Sequence, residues 1–147
     1  MMAFENLNYT DQWKKAEQHY EQGLEDVDAN DIVYAAYKGK SRLENLGSAP
    51  EGLEDVWEEL HIMVKLCQDY AEKNYQEISW KSMQRIAGAV SYFVTPFDLV
   101  PDAIPKIGYL DDKAVLKLAL KLTQEDFDRY RQWQVERGQQ LGKEAEH

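Results

Sequence analysis

Asp98, Asp102, Asp111 and Asp112 place four carboxylates within fifteen residues, the sharpest chemical signal in the chain. Three or four such groups folded toward one point would make an oxygen shell for a hard cation, Mg²⁺ or Ca²⁺. Aspartate is also a leading helix N-cap type, so each could instead hold the backbone N–H groups of a turn and pair with Lys106 or Lys113. Capping is the reading that the residue type favours, and no other cofactor is called for.

Other chemistries find less to work with. His19 and His61 are the internal histidines, and no His-x-x-x-His spacing joins them into a metal site. Cys67 is the single cysteine, which excludes an internal disulfide and fits the reducing cytoplasm. It falls inside an apolar stripe, where a thiol is inert packing rather than a nucleophile. Neither a glycine-rich phosphate loop nor Gly-x-Ser-x-Gly occurs, so nucleotide hydrolysis and α/β-hydrolase chemistry have no starting point.

The formal net charge is −10. Residues 1–75 carry 16 acidic and 7 basic side chains, a net −9, and residues 76–147 carry 11 and 10, a net −1. Nucleic acid is an unsuitable partner for such a surface, because phosphates must be met by Lys and Arg. A basic protein partner is the complementary expectation. Glu51, Glu54, Asp55, Glu58 and Glu59 crowd the expected start of the third helix. A helix dipole stabilises each nearby carboxylate by about 0.3–1 kcal/mol, which hardly accounts for five, so these residues are the candidate interaction surface.

Helical spacing dominates the elements that must position these groups. Trp13, Ala16, Tyr20, Leu24 and Val27 form a stripe behind Thr10 and predict a helix from about Asp11 to Asp26. Asn30 opens a second, with Ile32, Val33, Ala36, Leu43 and Leu46 inward, Gly39 interrupting and Gly47 closing it. Ser48-Ala49-Pro50-Glu51 has capping-box form and predicts the start of a third, whose stripe runs from Leu53 through Leu60, Met63 and Cys67 to Ala71.

Ser79 caps a fourth helix, with Met83, Ile86, Ala87, Val90, Phe93 and Val94 on one face until Pro96. A fifth runs from Asp111 or Asp112 to about Leu122. Val115, Leu118, Ala119 and Leu122 face one side, Leu116 and Leu120 widen the apolar arc, and Lys113, Lys117 and Lys121 form one narrow line. Thr123 with Asp126 caps a sixth, buried through Phe127, Tyr130 and Trp133, with residues 138–147 expected to fray.

The fold class is therefore all-α: a single domain over 1–147, a bundle of about six helices with a proline- and aspartate-rich corner between helices four and five. No stretch at the N-terminus reads as a targeting signal, so the protein is expected to stay in the cytoplasm. The longest weakly charged run, Ile86 to Leu110, contains Asp98, Asp102, Lys106 and three prolines, which argue against a membrane-spanning helix.

The corner reads Pro96-Phe97-Asp98-Leu99-Val100-Pro101-Asp102-Ala103-Ile104-Pro105, followed by Gly108-Tyr109-Leu110-Asp111-Asp112. Its prolines fix φ, its aspartates accept from free N–H groups, and Phe97, Leu99, Val100 and Ile104 can anchor it. The stretch from Tyr92 to Leu120, within a segment spanning about 83–122, resembles the YkvA-like domain of unknown function. The shared pattern is Pro-x-Asp-x-x-Pro-Asp-x-x-Pro, a glycine, a paired aspartate and an apolar helix. The resemblance implies a helical fold and leaves any reaction blank. The leading expectation is a non-enzymatic interaction or regulatory module. The alternatives are a divalent-metal-binding domain or enzyme built on the aspartate corner, and a peripheral membrane adaptor using the corner's apolar residues.

Overall fold

The computed structural model describes residues 14–95 and 110–145, and these are helical with no strand among them. Helix α1 spans 14–23 and tightens into a 3-10 turn at Leu24–Asp26. It is followed by α2 (Ala29–Leu46), a 3-10 turn (Glu54–Val56), α3 (Trp57–Ala71), α4 (Trp80–Val94), α5 (Leu110–Leu122) and α6 (Gln124–Ala145). The corner over 96–109 lies outside the described residues.

Helix α2 opens two residues earlier than the sequence suggests. Asp28, not Asn30, is its N-cap: Asp28 Oδ1 accepts from Asp31 N at 3.0 Å and Asp31 Oδ2 accepts from Asp28 N at 2.9 Å. The inward face is Ile32, Ala35, Ala36, Gly39 and Leu43, whereas Val33 is 43% exposed. Gly39 is a contact point rather than an interruption. A Cβ there would stand 3.0 Å from both Val64 of α3 and Val90 of α4, so its bare Cα lets α2 press against both neighbours.

The predicted capping box at Ser48 does not form. Leu53 N donates to Pro50 O across a turn in which Gly52 has φ +100°, a conformation that ends any helix begun at Pro50. Helix α3 starts only at Trp57, with no side-chain cap. Of its expected stripe, Leu53, Val56, Leu60, Met63, Val64 and Cys67 are buried and Trp57, Tyr70 and Ala71 half-buried, and Leu66 joins the buried set.

Ser79 caps α4 as expected, accepting from Ser82 N at 3.1 Å, and Met83, Ile86, Ala87, Val90 and Phe93 fill the core. Helix α4 packs against α2, α3 and α5. The buried face of α5 is turned from the expected one: Asp112, Val115, Leu116 and Ala119 point inward, Leu118 is half-buried, and Leu122 is 39% exposed. A helix apolar almost all round gives no internal cue to its orientation, and packing on α4 decides it.

Thr123 alone separates α5 from α6. Its hydroxyl donates back to Ala119 O at 2.7 Å instead of capping Asp126, while its carbonyl accepts from Phe127 N. Phe127 and Tyr130 are buried and Trp133 is half-buried, as expected. The helix continues through Gly138 and Gly142 to Ala145, past the point where the sequence suggests it loosens. The intervening Gln, Leu, Lys and Glu are good helix formers that offset two glycines at about 1 kcal/mol each.

Candidate functional site

Two ends of the proline and aspartate corner are described. On the α4 side Tyr92 is 4% exposed, and on the α5 side Asp112 is 6% exposed with Asp111 half-buried beside it. Burial, then the negative charge of Asp111 and Asp112, pushes the Tyr92 phenol above its ordinary value, so the motif's paired aspartates lie electrostatically close to Tyr92. Arg42 of α2 reaches the same end of α4, its guanidinium 5.1 Å from the Phe93 ring centroid. Asp98 and Asp102 fall outside the described residues, so the four-carboxylate constellation is placed only in its second half. Among the described residues no three metal-ligating side chains form a group.

The five acidic residues do not form one uniform face. Lys113 Nζ donates to Asp55 Oδ2 at 2.9 Å, and Lys117 Nζ stands 3.9 Å from the same oxygen. The hydrogen bond from Lys113, then the charges of Lys113 and Lys117, hold the Asp55 carboxyl below its ordinary value. Glu58 lies 3.8 Å from Arg131 of α6, and Glu54 accepts from Gly52 N at 3.0 Å. Glu51 is exposed and Glu59 half-buried. Most of the lysine line on α5 is thus explained by Asp55, which ties the connector before α3 to α5.

His61 and Cys67 sit in packing contacts, whereas the exposed His19 lines a cavity beside α4. Glu58 and His61 are three residues apart, a spacing that can ligate metal, yet Glu58 turns to Arg131 and the His61 ring sits edge-on to Trp57 at 5.0 Å. Cys67 is fully buried, and burial pushes its thiol far above the nucleophilic range.

A buried carboxylate that sequence reasoning missed lies at the end of α3. Asp69 is 4% exposed and accepts from the Tyr130 phenol at 2.5 Å and from Asn74 Nδ2 at 3.3 Å, with Lys65 Nζ 4.0 Å away. Burial, then the bond to Asp69, pushes the Tyr130 phenol up. Tyr75 meets Tyr130 edge-on at 5.1 Å, Trp133 stacks on Tyr130 at 5.7 Å, and Arg137 caps the indole at 5.0 Å. The backbone closes the same corner. Lys73 N donates to Tyr70 O and Asn74 N to Asp69 O, with Lys73 at φ +63°, a Schellman ending built without glycine. The cluster is a clasp between α3 and α6.

One of several cavities among the described residues adjoins the α4 end of the motif. About 420 Å³ opens between α1 with its 3-10 end, the start of α2 and the second half of α4. Tyr20, Leu24, Val27, Tyr34, Ser91 and Thr95 are among its walls. The Tyr20 hydroxyl donates to Arg85 O at 2.7 Å, the Gln84 amide donates to Val27 O at 3.0 Å, and the Tyr34 and Thr95 hydroxyls are 2.7 Å apart. These bonds set the walls. Tyr34, a wall of the cavity, shares one face of α2 with Val33 and Tyr37, and the three are 40%, 43% and 53% exposed. No single stretch of sequence signals it, because its walls come from residues 19–34 and 88–95.

Residues 85–118 match the family described as Protein of unknown function (DUF1232). The Uncharacterized membrane protein YkvA of Bacillus subtilis (strain 168) is 29% identical over 72 residues, which cover 49% of this chain and 68% of that protein. No solved structure matches. Among the described residues no helix is long and apolar enough to cross a membrane. The matched segment contains Ser91, Tyr92 and Thr95 of the cavity, the whole corner and the paired aspartates, and with it the chain contains a YkvA-like domain of unknown function.

Proposed function

We propose that this chain is a non-enzymatic interaction module, a helical scaffold that presents the surface beside its YkvA-like segment to a partner protein. The observation that carries the proposal is the exposed group Val33, Tyr34 and Tyr37 on α2, of which Tyr34 also lines a cavity that the YkvA-like segment helps to form. Exposed aromatic side chains grouped at the mouth of a concavity are typical of recognition surfaces. The acidity of the first half favours a basic partner, and the buried Cys67 thiol is in keeping with a cytoplasmic location.

The test is affinity capture with tagged full-length protein, wild type against Tyr34→Ala/Tyr37→Ala, with quantitative mass spectrometry. Partners whose recovery falls for the double variant support the proposal. An identical set of captured proteins for both would remove it.

The name of the Bacillus relative favours a second possibility, a peripheral membrane adaptor. Co-sedimentation with phospholipid vesicles tests it directly. A net charge of −10 sets this chain against anionic bilayers, so binding to zwitterionic vesicles is the informative arm.

A further inference from the structure

We propose that the cavity between α1, α2 and α4 docks a lysine- or arginine-bearing amphipathic helix of the partner, its apolar side chains in the cavity and its cations on the carboxylates of the adjoining wall. This deepens the interaction-module proposal and rests on it.

Three features converge. The floor is apolar and aromatic, built from Tyr20, Leu24 and Val27 on one side and Tyr92 on the other. At about 420 Å³ it is within the ~300–1,000 Å³ span of sites that enclose ligand-sized groups, room for one or two large side chains. Val33, Tyr34 and Tyr37 extend the apolar track along α2 by another turn, which suits a helix that presents anchors at i, i+3 and i+4 better than a compact small molecule.

Charge selects the occupant. Residues 16–37 carry Glu17, Glu21, Glu25, Asp26, Asp28 and Asp31 and contain no lysine or arginine. Asp26 and Asp31 line the cavity itself, and Glu25 and Asp28 are exposed beside them. Across the cavity, α4 contributes Ser91 and Thr95, which add no charge. A cationic helix complements this wall. A second copy of the chain, itself at −10, and an anionic bilayer are both repelled by it.

The probe is a fluorescein-labelled peptide of leucine and lysine only, about four helical turns long, titrated with the full chain by anisotropy at about 50 and 300 mM salt. Binding should weaken with salt. It should fall at least about tenfold in Ser91→Phe, which fills the cavity, and in Asp26→Lys, which also flattens the salt dependence. Thr95→Trp, at an exposed position, blocks the mouth and keeps the test open if Ser91→Phe does not fold. Wild-type affinity in a folded Ser91→Phe or Thr95→Trp variant overturns this docking site while leaving an interaction module with some other surface. Equal binding of an oligolysine of the same charge overturns it too, since the apolar floor then contributes nothing. No peptide binding, together with unchanged affinity capture by the Tyr34→Ala/Tyr37→Ala protein, removes the module as well. Sedimentation with zwitterionic vesicles that Ser91→Phe and Thr95→Trp abolish would assign the cavity to lipid and overturn the protein occupant.

Discussion

Removing one oxygen from Tyr130 tests how α6 is held. In Tyr130→Phe the ring remains to stack with Tyr75 and Trp133, but Asp69 Oδ2 loses the phenol that donates to it at 2.5 Å. What remains is Asn74 Nδ2 at 3.3 Å and Lys65 Nζ at 4.0 Å, both on the other oxygen, Oδ1. A hydrogen bond to a charged group is worth about 1.5–3 kcal/mol, and Asp69 is too buried for water to replace the phenol freely. A chain of 147 residues unfolds with an entropy of about 0.3 kcal/mol/K, so the melting temperature should drop by about 5–10 °C. Urea denaturation of the wild type, Tyr130→Phe, Asp69→Leu and the double variant completes a thermodynamic cycle. The double variant should be less destabilised than the sum of the singles by about 1–3 kcal/mol, because it leaves neither partner stranded. A loss below about 0.5 kcal/mol in Tyr130→Phe, or strict additivity, would mean that ring packing alone fastens α6 and that the Asp69 bond is incidental.

Three further outcomes follow from the described geometry. Lys73→Gly should raise stability by up to about 1 kcal/mol in denaturant titration, since a non-glycine residue now occupies φ +63°. Leu116→Ala should cost about 2–5 kcal/mol and Leu122→Ala less than about 1, an order that a fifth helix facing the core through Leu118 and Leu122 would not give. Stability should also fall steeply with alkali. The Tyr20, Tyr92 and Tyr130 phenols are all held above their ordinary value of 10, chiefly by burial. The unfolded chain therefore releases their protons first, and the contribution present below about pH 10 is lost above it, at about 4 kcal/mol per pH unit for three phenols. Melting curves between about pH 9 and 11.5, with ultraviolet absorbance following tyrosinate, check this, and a flat profile would mean that the phenols titrate freely in the fold.

Local chemistry made some boundaries legible. Ser79 caps α4 because its hydroxyl needs only the N–H three residues on, and Gly47 ends α2 by donating to Leu43 O. The start of α3 misled for an equally local reason: Gly52 sits where Ser48-x-x-Glu51 needed helix, and its φ of +100° overrides the box. Facing directions were harder. The lysine line of α5 marked its polar edge correctly, but the choice between Leu116 and Leu118 as the inward residue depends on α4. Asp69 is not among the residues that the sequence singles out. Its cue was faint: it lies three residues after Leu66, on the flank of the apolar stripe, while Tyr130 in a buried stripe needed an acceptor. The one-sided charge was readable from the sequence, whereas the cavity that the acidic wall borders could not be, since α1 and α4 meet only in the fold.

The clasp at Tyr130 has a mechanical meaning for the second half of α6. Up to Trp133 that helix is bolted to the end of α3, while Val135 and Leu141 beyond it stand more than half exposed. Fifteen residues separate Tyr130 from Ala145, a rod of about 22 Å. With the rings as fulcrum, a tilt of about 10° sweeps the far end through roughly 4 Å. Thr123 joins the short arm of this lever directly to α5, and Asp55 grips α5 through Lys113 and Lys117. A small displacement of α5 would thus arrive, magnified, at the far end of α6.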